Sequence, residues 1–399
     1  MTSPAAPRES TRRRPSIDVL RAFAITLMIV VHFVENLSGR YGQGDGPFAG
    51  VQGLLWLPTG FAAPTFTLLS GVSYRLWLED AIQRGRRDDA IAKATIRRGL
   101  FLLGVGFAFN VLVWLPEDVF NWDVLTLIGC GMLALEVVRR MPDSAILFTA
   151  AAIVAVTPAL QHLADYAAYW TIGHYDYDFT ASDVLLGWLV TGYFPIFPWL
   201  AFPLAGYATA PVLVGSCGPD TSAIDRGLDD ATGTERRRHR LPPACGPLVL
   251  LVTAATLFSL WHALPTAVTG GAARAWMMFP PTLVYVLGTL GGVMALLHAL
   301  HRHLDDDASR FARVVAWATP LSRRALSLYL LHHVVHVWPM WIAGLVTTGT
   351  ADGLWQRALP VSWSLGCAIA FVVAAAVLCR FADARRVPTV ESWMRWICD

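Results

Sequence analysis

Charge is scarce in this 399-residue chain: Asp, Glu, Lys and Arg together make up 15% of it, whereas 55% of its residues are hydrophobic. Lysine is nearly absent, since Lys93 stands alone among the 31 Lys and Arg residues. A composition this apolar excludes an ordinary soluble domain. We attribute the net charge of +2 to arginines on the inner face that meet anionic lipid. We therefore expect no nucleic-acid partner.

Cysteine is also sparse, and no two cysteines have CxxC spacing, so we predict neither disulfides nor a cysteine metal site. The first apolar run ends without a small-residue cleavage site, because Glu35, Asn36 and Leu37 lie there. We therefore interpret that run as an uncleaved first span and not as a signal peptide. The six cysteines are Cys130, Cys217, Cys245, Cys367, Cys379 and Cys398.

Long apolar runs dominate the chain, and each approaches the roughly 20 residues that cross a bilayer core. They predict an all-α, polytopic membrane protein with about ten transmembrane helices. A further run at 184–194 could be lateral or re-entrant, which sets the range at nine to eleven. The ten runs are 18–37, 56–78, 99–115, 122–138, 144–160, 195–214, 246–264, 280–300, 325–346 and 361–381.

Basic residues alternate with these runs. The segments expected to face the cytoplasm hold 26 of the 31 Lys and Arg residues, whereas the expected outer segments hold only Arg40, Arg274 and Arg357. Because cytoplasmic loops are rich in Lys and Arg, both termini are predicted to be cytoplasmic, in a multi-pass protein of the plasma membrane. The cytoplasmic segments are 1–17, 79–98, 139–143, 215–245, 301–324 and 380–399.

The domain organisation is simple, with no internal repeat. A single transmembrane domain over 18–381 is predicted between a basic N-terminal tail, 1–17, and a C-terminal tail, 382–399. Its one long hydrophilic segment, 215–245, is expected to be a flexible cytoplasmic loop. Prolines interrupt the spans at 61–74 and 194–207, and such breaks can line a site or only aid packing.

The first span, SIDVLRAFAITLMIVVHFVENL, contains four ionisable residues within an arc of about 100° on a helix. Asp18 and Arg21 lie near its cytoplasmic end and can pair at i, i+3. His32 and Glu35 lie towards the outer end, with His32 about 21 Å from Asp18. Ionisable groups within spans are functional candidates. His32 could be a general base or a hydrogen-bonded packing residue, and the Asp18–Arg21 pair could be structural.

A second cluster lies in LSRRALSLYLLHHVVHVWPM, residues 321–340. Tyr329, His332 and His336 share one face of the predicted helix, whereas His333 points about 100° away from His332. The spacing of His332 and His336 matches two helical zinc ligands, but no HExxH glutamate accompanies them, so no metal is expected. A proton relay, a base with its orienting partner, and hydrogen-bonded packing all remain open.

The outer segment 161–183 contains no Lys or Arg but many aromatic and acidic residues, among them Trp170 and Asp176. Aromatic faces and carboxylates of this kind could contact a sugar. An interfacial aromatic belt has a similar composition. Both interpretations remain open.

Several segments resemble, in order, the transmembrane acyltransferases related to heparan-α-glucosaminide N-acetyltransferase, and more distantly the acyltransferase family 3 proteins. The first span resembles the family's R-x-x-S-x-D-x-x-R-G-x-A opening, with Ala22 in place of the usual glycine. The resemblance covers nearly the whole chain. Its further segments are FAAPTFTLLSGVSYRL, VLTLIGCGMLAL, FPIFPWLAFPLAGY, SRRALSLYLLHH and VPTVESWMRWI.

The resemblance implies acyl transfer from cytosolic acetyl-CoA to a hydroxyl or amine, typically of a glycan, on the outer face. His32 is then the catalytic base, assisted by His332 or His336. A direct transfer in a ternary complex and an acetyl-histidine intermediate both remain open. At the inner mouth, Asp18, Arg21, Arg323 and Arg324 would organise the acyl-CoA, and Glu35, Tyr329, Trp170 and Asp176 would contact the acceptor.

One feature departs from the family. The lysosomal relative's proposed catalytic histidine lies in the loop after the first span, yet this chain has no histidine between His32 and His162. A proton-coupled transporter or exporter, with the same histidines relaying protons, is the main alternative, and a lipid-binding scaffold is another. The sequence leaves oligomerisation open.

Overall fold

A computed structural model describes residues 13–39, 59–114, 120–166, 180–215, 278–305 and 309–399. This part of the chain is all-helical and has no strand, which confirms the all-α part of the prediction. Trp170, Asp176, the predicted span 246–264 and almost all of the loop 215–245 lie outside the described residues.

Thirteen α-helices are described in these ranges. The first seven are α1 (Pro15–Ser38), α2 (Ala62–Gln83), α3 (Asp88–Val113), α4 (Val124–Val138), α5 (Asp143–Leu163), α6 (Ala181–Leu186) and α7 (Ile196–Trp199). The other six are α8 (Ala201–Leu213), α9 (Leu283–Leu300), α10 (Ala312–Arg323), α11 (Ala325–Thr348), α12 (Val361–Arg385) and α13 (Val390–Cys398).

Nine of the ten predicted spans coincide with a described helix. Seven helical segments are long and apolar enough to cross a membrane, and α4 is apolar but shorter. The helix α2 is long enough but carries Arg75, Glu79 and Asp80. The seven segments are Pro15–Ser38, Asp88–Val113, Asp143–Leu163, Ala181–Leu213, Leu283–Asp305, Ala325–Thr348 and Val361–Arg385.

The first helix is the central element. It packs against α2, α10, α11 and α12, and more than half of its apolar window is buried. Small side chains at Ala22 and Ala24 are fully buried, which lets neighbouring helices approach closely. Of its four ionisable residues, Asp18 is buried, Arg21 and His32 are partly buried, and Glu35 is exposed.

Most of the basic residues that the structure describes gather at one end of the bundle, which we call the arginine end. Arg13 pairs there with Asp18, and Arg139 lies 2.6 Å from Asp88. Arg324 lies 2.8 Å from Asp383, near the end of α12. The beginning of α1 and the end of α12 are thus at the same end of the molecule.

The proline-broken segment 194–207 packs against α2 through two glycines. A Cβ atom placed on Gly71 would lie 2.0 Å from the carbonyl oxygen of Pro203, and one placed on Gly206 would lie 2.2 Å from that of Leu68. The two backbones are therefore too close for any side chain at the crossing. This contact explains why the glycines interrupt otherwise apolar helices.

We predict that Gly71→Ala destabilises the protein by about 1–3 kcal/mol, because α2 and α8 must separate to accommodate the methyl group. The measurement is the free energy of unfolding in detergent. Gly104→Ala in α3 is the matched control, since its added Cβ meets no atom within 4 Å. A Gly71→Ala protein as stable as the control would contradict the close crossing.

Candidate active site

Four imidazoles meet between α1 and α11. His32 comes from α1, and His332, His333 and His336 come from α11. The three imidazoles of α11 are buried, with exposed fractions of 0%, 1% and 4%, whereas His32 is only partly buried. Within the cluster, His32 is therefore the most accessible imidazole.

The hydrogen bonds determine which nitrogens carry protons when the imidazoles are neutral. His332 Nδ1 lies 2.9 Å from the carbonyl oxygen of Leu328, so this nitrogen must donate. His332 Nε2 is then an acceptor, and it lies 2.9 Å from His32 Nδ1. His32 must donate from Nδ1, which leaves a lone pair on its Nε2.

His336, predicted to assist His32, contacts a different partner. Its Nδ1 donates to the carbonyl oxygen of His332 at 2.6 Å, and its Nε2 accepts from the Asn36 amide at 2.8 Å. Both nitrogens are thus occupied by structural hydrogen bonds. The structure therefore joins His332 to His32 by a direct hydrogen bond, whereas His336 is hydrogen-bonded to Asn36 and to the backbone of His332.

His333 is the cluster member that the sequence reasoning missed. Its ring centroid lies 4.6 Å from that of His32 and 3.9 Å from that of His332. Its Nδ1 donates to the carbonyl oxygen of Tyr329 at 3.0 Å. His333 points about 100° away from His332 but still faces protein, because α3 covers that side of α11. Phe109 of α3 packs edge-on against the His333 ring. Three histidines in the run HHVVH were the available signal.

A metal ion is chemically compatible with part of this cluster. His32, His332 and His333 each offer one nitrogen, and these atoms lie within 4.8 Å of one another. Two of the rings donate their other N–H to a backbone carbonyl, as metal-bound histidines do. However, the 2.9 Å contact between His32 and His332 has the length of a hydrogen bond. The expectation of no metal stays a prediction.

Tyr329, predicted to contact substrate, is buried and bound to another residue. Its hydroxyl donates to Asp123 Oδ2 at 3.0 Å. The other carboxylate oxygen of Asp123 accepts from the backbone N–H of Thr126 at 2.8 Å and caps the start of α4. This link ties α11 to α4 beside the histidine cluster. Asp123 was not among the predicted site residues.

Glu35 lies one turn beyond His32 and is exposed, and its carboxylate makes no hydrogen bond in the described part of the chain. Its carboxylate is therefore available to a ligand.

Three half-buried tryptophans lie beside the cluster, and we call Trp114, Trp341 and Trp355 the tryptophan trio. Trp341 stacks on Trp355 with ring centroids 5.4 Å apart, and Trp114 meets Trp355 edge-on at 5.9 Å. Trp114 also contacts the ring of His333 at 5.5 Å. The turn that carries Trp355 is attached to α1, because Gln356 N donates to the carbonyl oxygen of Asn36. The trio thus lies directly beside the imidazoles.

At the arginine end, the i, i+3 pairing of Asp18 with Arg21 is not found; the two side chains are linked through a third. Ser322 Oγ donates to Asp18 Oδ1 at 2.7 Å and accepts from Arg21 at 3.3 Å. Arg21 also donates to Ser73 at 2.7 Å, while Asp18 binds Arg13. The serine lies between the two charges because α10 packs against this turn of α1.

The other two predicted donor-binding residues differ in accessibility. Arg323 has a 48% exposed side chain, and its nearest carboxylate oxygen, on Asp383, is 3.9 Å away. Arg324 is buried against Asp383, and its Nε is also buried without a hydrogen-bond partner. Arg323 is therefore the more accessible cation for a ligand at this end.

We predict that Tyr329→Phe destabilises the protein by about 1–3 kcal/mol, because a buried oxygen of Asp123 loses its donor. Unfolding free energies of Tyr329→Phe, Asp123→Ala and the double variant provide the measurement. We expect a coupling of at least about 0.5 kcal/mol between the two sites. Additive effects would mean that the hydroxyl and the carboxylate do not interact.

A family model matches more than half of the chain. The model of a family described as heparan-alpha-glucosaminide N-acetyltransferase, catalytic, matches residues 13–226. This range contains α1 with His32, and the described helices that follow it as far as α8. No curated protein matches the chain.

Proposed function

Because the chain belongs to the heparan-α-glucosaminide N-acetyltransferase catalytic family, we propose that it transfers an acetyl group from cytosolic acetyl-CoA to a glycan hydroxyl or amine on the other side of the membrane. Membrane acetyltransfer is the activity of this family, and the donor, the acceptor and the residue roles are our proposal. The observation that carries it is the His32–His332 pair, with the accessible imidazole presenting a lone pair.

In the proposed reaction, His32 acts as a general base. Its Nε2 takes the proton of the acceptor O–H or N–H as the acceptor atom attacks the thioester carbonyl carbon. The tetrahedral intermediate then collapses, the C–S bond breaks, and the proton on His32 passes to the departing CoA thiolate. The imidazole returns to its starting state after each transfer.

His332 is proposed as a positioning residue. By accepting from His32 Nδ1, it fixes the tautomer in which His32 Nε2 is free. When His32 becomes an imidazolium, the same contact becomes a charge-assisted hydrogen bond, which is stronger than the neutral one. The backbone carbonyl of Leu328 holds the other side of His332, so the pair cannot rotate freely.

The arginine end is proposed to face the cytosol, in agreement with the positive-inside rule. Acetyl-CoA would then bind near Arg323 and Arg21, and only its flexible thioester arm would extend towards His32. Asp18 lies about 21 Å along α1 from His32, so the nucleotide and the reacting carbonyl occupy opposite parts of the bundle.

The acceptor is proposed to bind between Glu35 and the tryptophan trio. Half-exposed indole rings offer large apolar faces, and two of the trio, Trp114 and Trp355, make no indole N–H hydrogen bond in the described structure. The free carboxylate of Glu35 can accept from a hydroxyl or an ammonium group. The family match gives no support to a transporter.

We predict that His32→Ala lowers the rate of acetyl transfer by about 10²–10⁴-fold, the usual contribution of a general base. The measurement is transfer of labelled acetyl from acetyl-CoA to a panel of amino sugars and oligosaccharides by the purified protein. His332→Phe, which removes the acceptor for His32 Nδ1, should cause a smaller loss of kcat.

The matched control is His162→Ala, because His162 is exposed and lies at the end of α5, away from the cluster. Transfer should be unchanged in this variant and in the presence of a chelator. Loss of transfer on chelation would show that the imidazoles bind a metal. Full activity of His32→Ala would overturn the assignment of the base.

We predict that Trp355→Ala raises the KM for the acceptor several-fold and leaves the KM for acetyl-CoA unchanged, because only the acceptor contacts the trio. Steady-state kinetics with both substrates varied provides the measurement. Intersecting lines indicate a ternary complex, whereas parallel lines indicate an acetyl-histidine intermediate. His162→Ala is again the control, and an equal effect of Trp355→Ala on both Michaelis constants would contradict the acceptor site.

A further inference from the structure

We propose that α13 is an interfacial helix: its exposed tryptophan face lies in the anionic headgroup region of the leaflet at the arginine end and ties the beginning of α11 to that leaflet. The residues involved are 389–399, the start of α11 and the neighbouring part of α3, and this role is independent of the proposed acetyl transfer.

The sequence of α13 forms a helix with two distinct faces. Thr389 and Ser392 form a capping box that starts it. Trp393, Trp396 and Ile397 lie within an arc of about 100°. Their exposed fractions are 59%, 85% and 50%, unusually large for neighbouring apolar side chains.

The opposite face of α13 is fixed to the bundle. Glu391 accepts from the backbone N–H of Ser327 at 2.8 Å and from its hydroxyl at 2.7 Å. Asp399 lies 2.5 Å from Arg98 of α3, and Cys398 is 2% exposed. The exposed tryptophans are therefore held in place beside two long helices and cannot turn inward.

The neighbouring surface indicates what covers this face. Arg97 and Leu100 lie on the same exposed side of α3, which continues through the exposed residues Val111 and Leu112. Along the exposed side of α3, charged side chains give way to apolar ones between Arg97 and Leu100. This level therefore marks the edge of the hydrocarbon core of the membrane. Because Asp399 binds Arg98, α13 lies at that edge.

Lipid is the occupant that fits this chemistry. Tryptophan is enriched at membrane interfaces, where its ring is apolar and its N–H meets headgroups. Arg97 and Arg98 lie beside the end of this helix and Arg395 lies within it, and these arginines favour anionic lipid. An amphipathic helix with this arrangement lies in the plane of the interface. Since Ser327 precedes His332 by five residues, this anchor also fixes the start of the helix that carries three of the imidazoles.

Site-directed spin labelling of the full chain tests the proposal. The native cysteines are replaced, and Trp393→Cys, Trp396→Cys, Arg395→Cys and Leu100→Cys are labelled one at a time. Each protein is reconstituted into nanodiscs of phosphatidylcholine with phosphatidylglycerol. Accessibility to oxygen, which partitions into lipid, and to the water-soluble reagent nickel-EDDA is then compared.

Labels at 393 and 396 should resemble the lipid-facing reference at 100, with an oxygen-to-nickel accessibility ratio several-fold above that at 395. A ratio equal to that at 395 would mean that the face meets water and would overturn the proposal. Low accessibility to both reagents, with cross-linking between copies, would assign the face to a second copy and would also overturn it.

Hydrogen–deuterium exchange of the unlabelled protein provides a second measurement that requires no cysteine replacement. Amides of 393–398 should exchange several-fold more slowly in nanodiscs with phosphatidylglycerol than in phosphatidylcholine alone. Trp393→Ser combined with Trp396→Ser should abolish this difference at 393–398. The exchange of the α3 amides should not change. Equal exchange in both lipids would overturn the preference for anionic headgroups.

Discussion

The structure depends on a line of polar contacts between two parallel helices buried in an apolar bundle. Along α1 and α11, with the adjoining α10, these contacts join Asp18 to Ser322, His32 to His332 and Asn36 to His336. In a bilayer, polar side chains without water must bond to each other. Each such bond contributes only about 0.6 kcal/mol on average. Their combined effect is to fix the register of α11 against α1, and with it the position of every imidazole in the site.

Much of this arrangement follows from sequence patterns. Hydrophobic length predicted nine of the described helices, because a bilayer imposes one length on every spanning segment. Helical periodicity placed His332 and His336 on one face, and both do face α1. The separation of Asp18 from His32 is also a property of one helix, set by its rise per residue. These predictions required knowledge of single helices only.

What the sequence did not predict depends on how the helices pack. His333 belongs to the cluster because α3 lies on the other side of α11, and periodicity within α11 contains no such information. Asp123 lies in a turn between spans, yet it reaches Tyr329 in the interior. The predicted direct contact between Asp18 and Arg21 is not found, because Ser322 of another helix lies between the two side chains. Long-range contacts of this kind depend on tertiary geometry.

The end of α1 has a consequence for how the proposed acceptor would reach His32. Gln356 and Leu359 donate their backbone N–H groups to the carbonyl oxygens of Asn36 and Leu37, so the turn 355–360 completes the hydrogen bonding of the last turn of α1. Lifting that turn would leave two carbonyls without donors near the hydrocarbon, at a cost of several kcal/mol. Glu35 is already exposed. Under the proposed function, an acceptor that passes Glu35 along the side of the bundle, with this turn closed, leaves both of these backbone hydrogen bonds intact.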